Sequence, residues 1–240
     1  MQTVRSSHIP SFDESLLMST RTTLWTSSIG RKVLMSLTGL FLCSFLLEHL
    51  IGNFLLFIPD NGATYEAYSA FMASNFIIRT IEIGLGAAFI GHIGYGTYLW
   101  FRNKRVRPVP YEMNKREENS STVSRVTFLT GSIVFLFLVI HLKTFFVPGR
   151  IFGDTSLTLY ERVVGAFEQP LYAGFYILAL VLLAYHLRHG FQSAFQTLGL
   201  RAGRFGTLVD VIGFIFWFLI PLGFATMPIY FLFFHQTGTH

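Results

Sequence analysis

Apolar residues along this chain fall in long runs separated by short polar stretches, and the runs have the length that crosses a bilayer. The first extends roughly from Val33 to Ile58 and ends at Pro59-Asp-Asn-Gly62, a strong turn signal. Residues 63–74 (Ala-Thr-Tyr-Glu-Ala-Tyr-Ser-Ala-Phe-Met-Ala-Ser) predict a short interfacial helix. A second run, about Phe76 to Phe101, stops at the basic stretch Arg102-Asn-Lys-Arg-Val-Arg107. A polar loop leads to about Arg125, and a third run continues to Val147, closed by Pro148-Gly149. Residues 150–169 form the next connection, in which Leu157, Leu159, Val163, Val164 and Phe167 make an apolar face expected to lie on the membrane. The fourth run opens at Pro170, a favoured first helical position, and reaches about Phe191. The fifth, about Val209 to Phe234, holds Pro221 and Pro228, which are expected to bend it.

The pattern predicts an all-α membrane protein of five transmembrane helices. Residues 1–25 are polar, with no apolar core region and no small-residue cleavage site, so they read as a retained tail ahead of a membrane domain spanning 26–240.

Composition agrees with this. At 52% hydrophobic and only 13% charged residues, with a mean hydropathy of +0.51, the chain is unlike an ordinary soluble domain. The net charge of +5 raises the question of nucleic acid, but the basic residues sit in loops beside apolar runs, where they act as topology signals. Fourteen of the eighteen Lys and Arg lie in the N-terminal tail and in or at the edge of the connections after the second and fourth runs, Arg188 near the end of the fourth run included. The other four, Arg79, Lys143, Arg150 and Arg162, lie on the opposite side. The positive-inside rule then puts the N-terminus in the cytoplasm and the C-terminus outside. The single cysteine, Cys43, lies in an apolar run, where an inert buried thiol is expected.

Four of the runs carry a histidine where leucine would be ordinary: His49, His92, His141 and His186. An ionisable residue inside a membrane span is costly unless partnered, so each is a functional candidate. Topology gives each a height. His49 and His141 stand on outward-running spans about 16 residues from the inner face, roughly 24 Å up at 1.5 Å per residue. His92 and His186 stand on inward-running spans near their cytoplasmic ends. The four therefore sort into an outer pair, His49 with His141, and an inner pair, His92 with His186.

Two histidines on facing helices at one level suit a six-coordinate haem, which takes one imidazole on each side of the ring. Zinc would need three or four ligands clustered at one height. Small residues would admit the flat ring: His92 sits in Gly84-Leu-Gly-Ala-Ala-Phe-Ile-Gly-His-Ile-Gly-Tyr-Gly96, with Gly96 at i+4, and His186 has Gly190 at i+4. Lys143 and Arg188 are candidates to reach haem propionates by snorkelling. His189 competes with His186 for the fourth position but lies about 4.5 Å nearer the cytoplasm. His235 is expected at the interface, and His8 and His240 in solvated tails.

The chain resembles the cytochrome b membrane subunit of succinate dehydrogenase and fumarate reductase, in its single-chain, five-helix, two-haem form. The matching residues are Ser27-Ser-Ile-Gly-Arg-Lys-Val-Leu-Met-Ser-Leu-Thr-Gly39, His49, His92 with Tyr95-Gly96, His141, and His186-Leu-Arg-His-Gly190, over about residues 25–235. The last fits the family's His-x-x-x-Gly and favours His186 over His189. The resemblance implies two b haems, a menaquinone-type substrate, and docking on a flavoprotein subunit and an iron-sulfur subunit at the cytoplasmic face of a bacterial inner membrane. A higher oligomer of the whole complex is compatible with it. One departure concerns Ala184, where some members carry a glutamate tied to proton movement.

Two quinone sites are open. The inner candidate is Ser27, Ser28 and Arg31. The outer candidate lies near His49, with Glu48, Asn53, Arg79 and Glu82 as hydrogen-bond and proton donors. A haem farther out has little purpose if quinone reacts only at the inner face, which favours the outer side. The chain carries no nucleotide fingerprint and no cysteine set for an iron-sulfur cluster, so it would be one subunit of an enzyme. Two alternatives are the cytochrome b subunit of a formate dehydrogenase or hydrogenase, and a transporter with a histidine relay. The latter predicts internal repeats and broken helices in matching halves, which the sequence lacks.

Overall fold

The structure is a computed structural model, and residues 27–105, 127–201 and 203–235 are described. The N-terminal tail and most of the loop before Arg125 lie outside them. Seven helices follow in order among the described residues: α1 Ser28–Asn53, α2 Ala63–Ser74, α3 Phe76–Arg105, α4 Thr127–Arg150, α5 Leu159–Phe167, α6 Pro170–Thr197 and α7 Gly206–Phe233. Five of them, α1, α3, α4, α6 and α7, are long and apolar enough to cross a membrane. The protein is an all-α membrane protein with five membrane-spanning helices.

The helix starts follow from local chemistry. Ser27 caps α1, its hydroxyl accepting from Gly30 N at 2.9 Å. Asp60 caps α2, accepting from Thr64 N at 2.9 Å, and the chain turns there through Asn61 and Gly62 in the left-handed region. At Gly62 the turn requires glycine twice over, because a Cβ would also collide with the Tyr160 ring. Asn75 caps α3 by accepting from the backbones of Ile77 and Ile78. Thr158 and Glu161 form a capping box at α5. Between α4 and α5, hydrogen bonds from Ser156 and then the Arg162 guanidinium hold the Asp154 carboxyl down to about 2.

Three prolines, Pro148, Pro221 and Pro228, sit inside spans without ending them. The third span does not close at Val147: it passes through a π turn at Leu142–Phe146 and continues to Arg150. The fifth span has a matching π turn at Ile215–Leu219, just before Pro221. A proline removes one N–H and presses on the carbonyl four residues back. Widening the preceding turn accommodates both effects, so Val147 N bonds Leu142 O and Ile220 N bonds Ile215 O.

The helix α6 is the axis of the bundle, packed against α1, α4 and α7. One core cluster joins Leu50, Leu56, Tyr65, Val163, Val164, Phe167, Tyr176 and α7 residues at the end carrying α2 and α5. A second joins Cys43, Leu180, Leu183, Leu187, Phe191 and Val209 toward the other end. The apolar face of residues 157–167 does not lie outward on the membrane as expected. Val163, Val164 and Phe167 turn into the first core, and only Leu157 stays exposed. Glu66 fixes this arrangement by accepting from Tyr160 N at 2.6 Å. By contrast α3 is peripheral, with Ile77, Ile81, Ile83 and Ile90 exposed along it.

Candidate functional site

Folding brings the four intramembrane histidines together in two pairs. His49 of α1 faces His141 of α4 with ring centres 5.8 Å apart and planes at 85°. His92 of α3 faces His186 of α6 at 6.4 Å and 82°. An imidazole nitrogen binds a first-row metal at ~2.0–2.1 Å, so two imidazoles sharing one metal from opposite sides have ring centres about 6 Å apart. Both pairs have that spacing. Among the described residues no group of three or more His, Cys, Asp or Glu comes together at either level.

Three of the four rings have a side-chain polar partner at Nδ1. Thr38 lies 3.2 Å from the Nδ1 of His92, and its own proton goes to the carbonyls of Leu34 and Met35 at 3.0 and 3.2 Å. A hydroxyl whose proton is used can only accept, so His92 carries its hydrogen on Nδ1 and leaves Nε2 with a lone pair. Tyr176 lies 2.9 Å from the Nδ1 of His141. The Asn53 amide donates to the His49 carbonyl at 2.7 Å and reaches the His49 Nδ1 at 3.3 Å. His186 differs: its Nδ1 is buried with no hydrogen bond of ordinary geometry.

The rings also need room. A Cβ on Gly39 of α1 would stand 3.4 Å from His92 Cε1, and one on Gly131 of α4 would stand 3.1 Å from His186 Cε1. Four helices therefore converge on this pair: α3 and α6 supply the rings, α1 and α4 the glycines beside them. A Cβ at Gly84, Gly86, Gly91 or Gly94 of α3, or at Gly190 of α6, would meet nothing within 4 Å, so these exposed glycines leave open space along both helices. Gly96, expected to face such space, instead lies 3.5 Å from the Met35 methyl. The Tyr95 hydroxyl, one turn from His92, is buried with no hydrogen-bond partner among the described residues.

The remaining candidates fall in separate places. Glu48 accepts from the Tyr68 hydroxyl at 2.6 Å, beside His49 in sequence. Gly52 makes that contact possible, because a Cβ there would come 2.7 Å from the Tyr68 ring. Arg79 and Glu82 pair at 2.9 Å, and Arg150 joins the same carboxylate at 2.6 Å. No hydrogen bond among the described residues links this trio to Glu48. Arg188 lies with its guanidinium 5.2 Å over the Trp217 ring. Two residues along a helix is 200° of turn, so it leaves α6 on the side opposite His186. Lys143 is exposed within the π turn. Arg31 is half-buried in the first turn of α1 behind the Ser27 cap. His189 makes no ring contact with another histidine among the described residues, and His235 packs on Tyr230 and Phe231.

Sequence reasoning missed Tyr176 and the steric roles of Gly39 and Gly131, and gave Thr38 no role. The only signal was Thr38-Gly39 standing together in an apolar run; nothing marked Tyr176 or Gly131. Compared with protein-family models, with curated proteins and with solved structures, the chain matches none.

Proposed function

We propose that the chain is the membrane subunit of a succinate:quinone oxidoreductase, binding two b haems. It would carry electrons between a cytoplasmic flavoprotein and iron-sulfur pair and menaquinone. The observation that carries this reading is the pairing of four intramembrane histidines at two levels, His49 with His141 and His92 with His186, each at axial-ligand spacing. The residues fit the group in other respects: open space beside α3 glycines, glycines against two of the rings, and a buried Tyr95 hydroxyl that lacks a hydrogen-bond partner among the described residues.

When bound, haem supplies a one-electron carrier at each level. The chain's own residues do the rest. Thr38 takes the Nδ1 hydrogen of His92 and so presents Nε2 as the ligand atom. Gly39 and Gly131 let the rings of His92 and His186 lie against the backbones of α1 and α4. Lys143, and Tyr95 at the other level, are the donors available to propionates, whereas Arg188 is engaged on Trp217. Reduction of a quinone takes two electrons and two protons. Glu48, bonded to Tyr68 and next to His49, is placed to pass protons to a quinone oxygen at the outer level. The basic tail and loops, by the positive-inside rule, face the cytoplasm of a bacterial inner membrane and there meet the soluble subunits.

The test is a reduced-minus-oxidised spectrum of the purified chain, with haem measured per polypeptide. Two b haems per chain are expected, and succinate should reduce them once the flavoprotein and iron-sulfur subunits are added. A chain purified intact from haem-replete membranes with no b-type bands would overturn the reading.

A further inference from the structure

His141 is held by more than one hydroxyl. Its Nδ1 lies 2.9 Å from the Tyr176 hydroxyl. Tyr176 lies 3.4 Å from the Tyr172 hydroxyl, and Tyr172 lies 2.9 Å from the Thr144 hydroxyl. Thr144 donates to the Ile140 carbonyl at 3.0 Å. Thr144 sits inside the π turn at Leu142–Phe146, one turn past His141.

A count of protons gives the chain a direction. The Ile140 carbonyl only accepts, so it takes the single proton of Thr144. The Thr144 oxygen must then accept, and Tyr172 donates to it. Tyr172 has one proton and two acceptors in reach, and the 2.9 Å contact to Thr144 takes it over the 3.4 Å contact to Tyr176, so across the longer contact Tyr176 donates to Tyr172. Tyr176 is left with lone pairs toward His141. The imidazole therefore carries its hydrogen on Nδ1 and its lone pair on Nε2, the nitrogen left free to bind a metal. The weak link is the 3.4 Å tyrosine contact, which is long for a bond between hydroxyls. If it opens, the Tyr176 proton turns to His141 and favours the opposite tautomer.

We propose that Tyr176, Tyr172 and Thr144 are positioning residues for His141, a one-way hydroxyl chain that locks the ligand tautomer and raises the basicity of its Nε2. The inference rests on His141 being a haem ligand. Among the described residues no other histidine of the set has such a chain: His92 has one hydroxyl, His49 an amide, and His186 no hydroxyl.

The experiment titrates both haems of the purified protein against potential in Tyr176→Phe, Tyr172→Phe, Thr144→Val and Thr144→Ser. Tyr176→Phe keeps the ring that packs on Phe137 and Phe167. It should shift the outer haem's midpoint upward, because a less basic ligand stabilises the oxidised iron less, and should weaken retention of that haem by roughly 10–100-fold. Tyr172→Phe, which touches neither ring of the pair, should shift the same haem in the same direction. Thr144→Val should do so to a lesser degree, and Thr144→Ser should restore the original value. Throughout, the inner haem should keep its potential. Unchanged potentials in Tyr176→Phe, with both haems present, would overturn the proposal. A shift in Tyr176→Phe with none in Tyr172→Phe would overturn the chain. Absence of any haem in the unaltered protein would instead count against the parent reading.

Discussion

Gly131 and His186 meet across the contact between α4 and α6: a Cβ on the glycine would stand 3.1 Å from His186 Cε1 and 3.4 Å from its Nδ1. Gly39 and His92 stand in the same relation across α1 and α3, at 3.4 Å. The difference of a few tenths decides what each glycine tolerates. Ordinary van der Waals contact begins near the second value, and the first requires the ring to move.

Gly131→Ala should therefore displace the His186 ring, remove or weaken the inner haem and leave the outer one in place. Gly39→Ala should retain both. Haem content and the two-step redox titration of the purified variants check this. Equal loss in the two variants would mean that the glycines serve general helix packing.

His141→Ala should abolish the outer haem's signal while the inner haem stays detectable, and His92→Ala should do the reverse. The ring contacts pair His141 with His49 and His92 with His186 and join neither residue to the other pair. Loss of the inner signal in His141→Ala would contradict that pairing.

His189→Ala should leave both haems bound, with at most a small change in potential. His189 lies one turn from His186 and is half-buried, and among the described residues it faces no other histidine ring. Finding one haem gone in this variant, and both present in His186→Ala, would exchange the two assignments.

The bundle was legible because apolar runs of spanning length report helices directly, and the pairing because a fixed rise per residue turns sequence position into height. What sets each ring was less legible. Thr38 and Gly39 hold a histidine 54 residues away on another helix, and no local pattern in α4 marks Gly131 as the neighbour of His186. Proline effects were legible in place and not in kind, since Pro148 and Pro221 widen the preceding turn without ending the helix. Periodicity found the apolar face of Val163, Val164 and Phe167, yet whether it met lipid or protein depended on where α5 folded. The guanidinium of Arg188 stands over Trp217, a neighbour on a later helix that no local pattern announces.

The last prediction concerns the side on which quinone reacts. Asn53 reaches the His49 Nδ1, and Glu48, next to His49 in sequence, accepts from Tyr68, with Gly52 making space for the tyrosine. At the other end Ser27 serves as a helix cap, its hydroxyl accepting from Gly30 N, which leaves Arg31 as the main inner candidate. On the proposed reading, two carriers at separate heights have a purpose if electrons cross to the outer level, where Glu48 would be the proton donor. Glu48→Gln keeps the size of the side chain and its hydrogen bond from Tyr68 but cannot release a proton. Quinone reduction by succinate should fall by roughly 10²-fold in Glu48→Gln, the ordinary worth of a positioned acid or base. Both haems should still be reduced by succinate, and Arg31→Gln should stay near the unaltered rate. The assay follows haem reduction and quinone reduction in the same sample, so a block before the haems and a block after them read differently. Normal turnover in Glu48→Gln together with a loss in Arg31→Gln would move the quinone to the cytoplasmic end.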